Sequence, residues 1–402
     1  MLPEVPYGAT AVRPSWPDLP ESLREAISER LGGPIVTART AGGGFTRAFA
    51  AALTTKDGFR AFIKAAPLRE PTAEWYARES SITAALPEAV AAPRPRWTMV
   101  HSDYFVLCLD FVDGHVPALP WDAAELEAAV TAWTTAASTL ATPPLLGLPR
   151  LSDITRHEMS VWSSGALPSE RLSQLVAFPE RTPSEPAPLS GPTAPSPTAS
   201  EPTALPQPAA LPQPAALRQP AALPQPAALP QPAALPQPVA LPPPAALPPP
   251  ATPPEPPAFA NPVVLAEPAV LAELVALERL LPDAVAGSGM LHGDLRIDNV
   301  LIDRAGKAWL CDWTWPCLGA PWFDTVTLLV TAFGAYAWQA EVNRFLTDAP
   351  PEGVDAALAG LAGYWLARAA GPASSASPHS RQHQAYSGRA ALSWLSARRG
   401  WA

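Results

Sequence analysis

The stretch Met290-Leu-His-Gly-Asp-Leu-Arg-Ile-Asp-Asn-Val-Leu301, with Trp309-Leu-Cys-Asp-Trp313 a few residues on, decides how the chain is read. It sets a carboxylate, Asp294, five residues ahead of an amide, Asn299, and a second carboxylate, Asp312, after a short apolar run. That set suits phosphoryl transfer, which needs one group to orient an attacking hydroxyl and two oxygen ligands to hold magnesium against the phosphates. Arg296, two residues past Asp294, supplies a cation where it can meet a transferring phosphoryl group. Between Asn299 and Asp312, Leu301-Ile302 and Ala308-Trp-Leu310 flank a turn at Arg304-Ala-Gly-Lys307, which predicts a short hairpin.

Outward from that stretch, composition bounds the alternatives. A chain of 402 residues can hold two globular lobes and an unstructured segment besides. Cys108, Cys311 and Cys317 are odd in number and have no Cys-x-x-Cys spacing, which argues against a disulfide framework and a zinc site. The N-terminus lacks the basic start and apolar run of a signal peptide, and no stretch approaches a membrane span, so a cytoplasmic protein is expected. A net charge of −9 gives no electrostatic reason to expect nucleic acid.

Residues 1–112 read as a small α/β lobe. A helix is expected over Pro20 to Arg30, and a strand over Pro34 to Arg39. Gly42-Gly-Gly44 forms a turn, with a returning strand from Phe45 to Leu53. Lys56-Asp57-Gly58 signals a hairpin into a third strand that contains Lys64, and Glu70-Pro71-Thr72 opens a helix to about Leu86. Tyr104 to Leu109 is a further buried strand. Residues 113–182 and 258–402 read as mostly helical, with helical spacing over Trp121 to Leu140 and Val263 to Leu281. Only three lysines stand in the chain, and Lys64 alone lies inside an apolar strand.

The order His292-x-Asp294-x4-Asn299, then Asp312 after an apolar strand, is the catalytic-loop pattern of kinases. With His-Gly-Asp-Leu-Arg and Asp-Trp it resembles the aminoglycoside phosphotransferase and choline-kinase-like family of small-molecule kinases. The resemblance implies an α+β, protein-kinase-like fold with a β-rich N-lobe and a helical C-lobe. It also implies transfer of the γ-phosphoryl group of ATP or GTP, with Mg2+, to a hydroxyl of a small acceptor. In such an enzyme Lys64 reaches the α- and β-phosphates and is held by a glutamate of the next helix, Glu79 before Glu74. Gly43 and Gly44 let the backbone approach phosphate, and Asp110 to Val112 form the hinge that pairs with the purine. Asp294 orients the acceptor hydroxyl and takes its proton, Asn299 and Asp312 hold magnesium, and His292 is structural beneath the loop. Asp324 resembles the helix-start aspartate that accepts hydrogen bonds from the catalytic-loop backbone. Asp298 is assigned only a loop-stabilising hydrogen bond.

Asp324 follows Asp312 by a dozen positions, which leaves no residues for the long activation segment of a protein kinase, so the acceptor is expected to be small. From Ala356 to Ala402 the chain holds five arginines and no Asp or Glu, which disfavours a polycationic acceptor if those helices line the pocket. Trp313, Trp315, Trp322, Trp338 and Trp365 offer aromatic surface to a neutral or partly apolar one, though most are expected in the core.

Residues 183–257 are a proline-rich, low-complexity insert. The hexad Leu-Pro-Gln-Pro-Ala-Ala runs there in eight imperfect copies from Leu205 to Thr252. Proline fixes φ and donates no hydrogen bond, and one leucine per hexad buries too little area to offset chain entropy, so no packed element is expected. The insert reads as a tolerated repeat expansion; it also offers itself to a proline-binding domain. The rival reading of the whole chain is a catalytically weak, pseudokinase-like scaffold that binds partners through this tract. Replacing residues 183–257 by a short flexible linker is predicted to preserve cooperative melting and magnesium-dependent phosphoryl transfer, with a gain of about 1 kcal/mol from the shorter loop. Loss of cooperative melting in the deletion variant would mean that the hexads pack onto the C-lobe.

Overall fold

Alternation of apolar and polar residues, cut by glycine and proline turns, builds the N-terminal sheet. The computed structural model describes residues 5–167, 267–334, 342–371 and 377–401. The insert expected over 183–257 and Trp338 lie outside these residues. After helix α1 (Glu21–Arg30) come strands β1 (Ile35–Thr40), β2 (Phe49–Thr55) and β3 (Arg60–Pro67), helix α2 (Pro71–Ala85), then β4 (Pro95–His101) and β5 (Tyr104–Asp110). They form one antiparallel sheet in the order β1-β2-β3-β5-β4. β4 and β5 are joined at Ser102 and Asp103, both with positive φ, as a two-residue hairpin of matching twist requires. Pro95 opens the edge strand, where its missing donor is harmless. One face of the sheet packs on α1 through Leu23, Ile27, Leu53 and Ile63.

The returning strand begins at Phe49, not at Phe45 as the sequence suggests. Residues 45–48 are drawn away from the sheet. Ser377 donates its backbone N–H to the carbonyl of Phe45, whose ring stacks on His383, and Arg13 holds Thr46 and Ala48.

The chain then enters the C-lobe through β6 (Gly114–His115), followed by helices α3 (Ala123–Thr139), α4 (Leu151–Glu158) and α5 (Val161–Ser164). Next come α6 (Pro268–Ala284), β7 (Gly289–Leu291), β8 (Val300–Asp303), β9 (Ala308–Leu310), β10 (Cys317–Gly319), α7 (Trp322–Gly334), α8 (Pro351–Ala370) and α9 (His379–Arg399). β6-β8-β9 form one small sheet and β10-β7 another. α6 starts at Pro268 and ends beyond the expected Leu281, and the expected start near Val263 lies outside the described residues. From Phe323 to Gly334 every residue of α7 is buried, so this helix is the axis of the lobe. The whole is a two-lobed, protein-kinase-like α+β fold. No helix among the described residues is long and apolar enough to cross a membrane.

Asp122 caps α3, its carboxylate accepting from the N–H groups of Ala124 (2.8 Å) and Glu125 (3.2 Å). Asp122→Ala is predicted to cost about 1 kcal/mol, read as a lower melting temperature with an unchanged circular dichroism spectrum.

Candidate functional site

Lys64 sits mid-strand on β3, across from Leu107 of β5, so the sheet fixes its backbone on both sides. Its ammonium meets both carboxylate oxygens of Glu79 on α2, at 2.7 and 2.6 Å, and lies 3.7 Å from Asp312 Oδ1. Glu79 is buried, whereas Glu74 is exposed. Burial disfavours the Lys64 ammonium, but Asp312 and Glu79 outweigh it and hold the group charged, above its ordinary range.

The loop from His292 to Asn299 is shaped by contacts of its glycine and histidine. Gly293 has φ +77°, and a Cβ there would stand 2.1 Å from the Trp315 carbonyl oxygen. His292 is fully buried. Its Nε2 lies 2.9 Å from the Cys311 carbonyl oxygen, and its Nδ1 accepts the Asp294 N–H at 3.3 Å, an arrangement that fits one neutral tautomer. Burial pulls its pKa down to about 4, so it is neutral over the ordinary range. Asp324, in the first turn of α7, accepts from the N–H groups of His292 (2.7 Å) and Gly293 (3.3 Å). Burial pushes its pKa up to about 7 against those two donors.

The hairpin of β8 and β9 brings the two oxygen-bearing positions together. Cys311 donates its N–H to the Asn299 carbonyl at 2.8 Å, next to the Val300–Leu310 pair, so Asn299 and Asp312 end adjacent strands. Asp312 takes the left-handed conformation, φ +63°, which aspartate tolerates better than most residues. Burial raises its pKa but Lys64 and the Thr314 hydroxyl, 2.7 Å from Oδ1, hold it below the usual carboxylate range. The Asn299 amide nitrogen donates to the Asp294 carbonyl at 2.7 Å, which leaves its oxygen for another partner. Arg296 joins two carboxylates: Nε and Nη2 each meet Asp298 at 3.0 Å, and Nη1 bonds Asp294 Oδ1. Asp298, given only a loop-stabilising bond in the sequence, is therefore the partner that fixes Arg296. Burial raises the Asp294 pKa to about 6, with Arg296 pulling the other way.

Two cavities meet at these residues. One, of about 400 Å³, runs from Lys64 and Asp312 past the glycine turn to Asp110, Phe111 and Val112. Asp110 turns its carboxylate to Arg96 (2.8 Å), and the Val112 carbonyl accepts the Gly114 N–H (3.0 Å). The other, of about 690 Å³, opens in front of Asp294 and is walled by Phe45, Arg47, Glu70, Trp75, Tyr76 and Trp315. The wall from Glu70 to Tyr76 is not apparent in the sequence, because the start of α2 reads there only as a helix opening. Of the tryptophans, Trp313 and Trp365 are core, Trp322 is half-buried, and Trp315 is 44 % exposed in the second cavity.

The five C-terminal arginines line neither cavity: Arg368 pairs with Glu158, Arg398 with Asp355, and Arg399 with Glu273, while Arg381 and Arg389 bond carbonyls. Their charge therefore carries nothing about the acceptor. The glycine turn is required first by its own chain: a Cβ on Gly42 would fall 2.1 Å from the Gly8 carbonyl oxygen, and one on Gly43 2.9 Å from that of Tyr7. Gly44, at φ +87°, has Arg13 Nη2 2.7 Å from a Cβ position.

No protein-family model matches the chain, and no curated protein matches it. Solved structures do. A thermostable mutant of the aminoglycoside phosphotransferase APH(4)-Ia, in ternary complex with AMP-PNP and hygromycin B, aligns over 94 % of this chain and 99 % of its own with TM-score 0.51 at 10 % identity. Choline kinase LicA from Streptococcus pneumoniae aligns over 92 % and 97 % with TM-score 0.43 at 12 % identity. A fructosamine-3-kinase homologue from Haemophilus somnus aligns over 92 % and 97 % with TM-score 0.44 at 10 % identity. The first of these shows a shared fold.

Asp324→Ala would leave the His292 and Gly293 N–H groups buried without an acceptor, at a cost of about 1–3 kcal/mol for each. A lower melting temperature with disturbed loop resonances around His292 is the predicted outcome; an unchanged melting temperature would remove Asp324 as the brace.

Proposed function

We propose that this protein is a magnesium-dependent small-molecule kinase, which transfers the γ-phosphoryl group of a nucleoside triphosphate to a hydroxyl of a small acceptor in the cytoplasm. The observation that carries the reading is the convergence of Lys64, Asp312 and Asn299 on the seam between two cavities, with Glu79 on one side of it and Asp294 on the other. A transferring group needs such a seam, with the donor on one side and the acceptor on the other.

In this reading ATP or GTP lies in the cavity that runs to the Asp110–Val112 hinge, with its phosphates toward Lys64 and the glycine turn through Gly43 and Gly44. The donor set fits magnesium: among the described residues no three His, Cys, Asp or Glu side chains form a cage, while Asn299 and Asp312 offer two hard oxygens, and phosphates and water supply the rest. When bound, the ion would neutralise charge on the phosphates. Arg296 holds Asp294 by Oδ1, and Oδ2, 3.4 Å from the Asn299 amide nitrogen, has a lone pair left to orient the acceptor hydroxyl and take its proton. His292 is no rival base, being neutral, buried and committed at both nitrogens. A cavity of about 690 Å³ suits a small molecule, and the dozen positions from Asp312 to Asp324 give a peptide no platform.

Turnover of γ-labelled ATP against a panel of alcohols and antibiotics, with and without magnesium, tests the reading directly; no transfer and no nucleotide binding would refute it. Asp294→Ala is predicted to lower turnover by about 10²–10⁴-fold while nucleotide binding stays near normal. Since only the ionised carboxylate accepts a proton, and its pKa stands near 6, activity should fall about tenfold per unit as pH drops below that value. A flat profile between pH 4 and 7 would take Asp294 out of proton transfer.

A further inference from the structure

Six residues border both cavities: Arg13, Gly44, Lys64, Asp298, Asn299 and Asp312. Two of them are cations. Lys64 is already met by two carboxylates. Arg13 is met by none: among the described residues it forms no ion pair, and its hydrogen-bond partners are neutral oxygens. Nη1 donates to Thr46 Oγ1 and to the Ala48 carbonyl, and Nη2 donates to the Gly43 carbonyl, each at 3.0 Å. One N–H of Nη2 therefore has no partner, and Nε is buried without one. A half-buried guanidinium at the meeting point of two cavities is costly unless an anion joins it.

The guanidinium is fixed by the N-lobe turn, and the segment that carries it is tied to both lobes. Its three bonds bracket the turn from Gly43 to Ala48. The segment that carries it is tied down by Ala11 N–H to the Gly42 carbonyl (2.8 Å) and by Ser377 Oγ to the Thr10 carbonyl (2.6 Å). Further along, Tyr7 is buried with its hydroxyl 2.9 Å from His383 Nδ1 on α9. The N-terminal segment thus reaches across to α9 and presents one fixed cation to the seam.

We propose that Arg13 binds the terminal phosphates of the nucleotide, opposite Lys64, and stays on the phosphoryl group as it passes toward Asp294. The inference rests on the kinase reading and adds to it a residue from outside the β3, hinge and catalytic-loop set. A planar fork suits a phosphate whose negative charge is spread over its equatorial oxygens. The bond that breaks is the one between the β,γ-bridging oxygen and the γ-phosphorus, and the one that forms joins that phosphorus to the acceptor oxygen, whose proton goes to Asp294. Arg13 exchanges no proton in this step.

Calorimetry on the full chain with AMP-PNP, ADP and adenosine, each with magnesium, tests the assignment on the parent, Arg13→Gln and Arg13→Lys. Arg13→Gln is expected to weaken AMP-PNP by about 10- to 100-fold, the worth of a hydrogen bond to a charged group, and adenosine hardly at all. Arg13→Lys should recover part of the loss, since it restores the charge but not the fork. Equal affinity of Arg13→Gln and parent for AMP-PNP would overturn the proposal. So would an equal loss for all three ligands, which would mean that Arg13 only shapes the glycine turn. If Arg13→Gln fails to melt cooperatively, Arg13→Lys carries the test through its ratio of AMP-PNP to adenosine affinity, with a ratio equal to the parent's refuting the assignment. A parent that binds no nucleotide would refute the kinase reading itself, a result distinct from a parent that binds and variants that match it.

Discussion

One buried histidine ties three segments of the chain into a single site. The His292 ring lies 2.9 Å from the Cys311 carbonyl through Nε2 and accepts the Asp294 N–H through Nδ1, and the residue's backbone N–H donates to Asp324 on α7. The two carboxylates that matter, Asp294 and Asp312, are each one residue or two from this ring. Only a neutral imidazole can accept at one nitrogen and donate at the other, and burial enforces that state by pulling its pKa down to about 4. The brace is anchored in turn by a helix with every residue from Phe323 onward buried, so the loop inherits the rigidity of the lobe's core.

Around that brace the electrostatics are arranged in opposed pairs. Lys64 faces Glu79 and Asp312, and Arg296 faces Asp294 and Asp298. Burial alone would neutralise several of these groups. Pairing holds Asp298 and Asp312 below the usual carboxylate range, whereas burial prevails at Glu79, pushed up to about 7, and at Asp294, pushed up to about 6. Two aspartates in one cleft are thus tuned apart, which suits the separate roles proposed for them, one in holding a cation and one in exchanging a proton.

A second theme is that the chain's N-terminal segment belongs to the site. Val5 and Tyr7 are buried, Gly8 presses on Gly42, and Arg13 holds the turn from Gly43 to Ala48. The shortened β2 follows from the same contacts, since Phe45 is drawn to His383 and away from the sheet.

The catalytic-loop spacing, the hairpin from Leu301 to Leu310, the strand that holds Lys64 and the helix that holds Glu79 were legible in the sequence, because each is a local pattern of periodicity, turn residues and chemical type. The choice of Glu79 over Glu74 as the lysine's partner agrees with helix phase, but the bidentate contact itself is set by how α2 lies on β3. What the sequence could not carry were contacts between residues hundreds of positions apart: Tyr7 with His383, Thr10 with Ser377, Glu158 with Arg368. These made the C-terminal arginines irrelevant to the acceptor, turned the glycine requirement toward the chain's own N-terminal segment, and brought Trp75 and Arg13 to the cavities. Such pairings leave no periodic trace, since a single polar atom meeting another across the fold depends on where whole elements pack, and packing is decided only when the core closes.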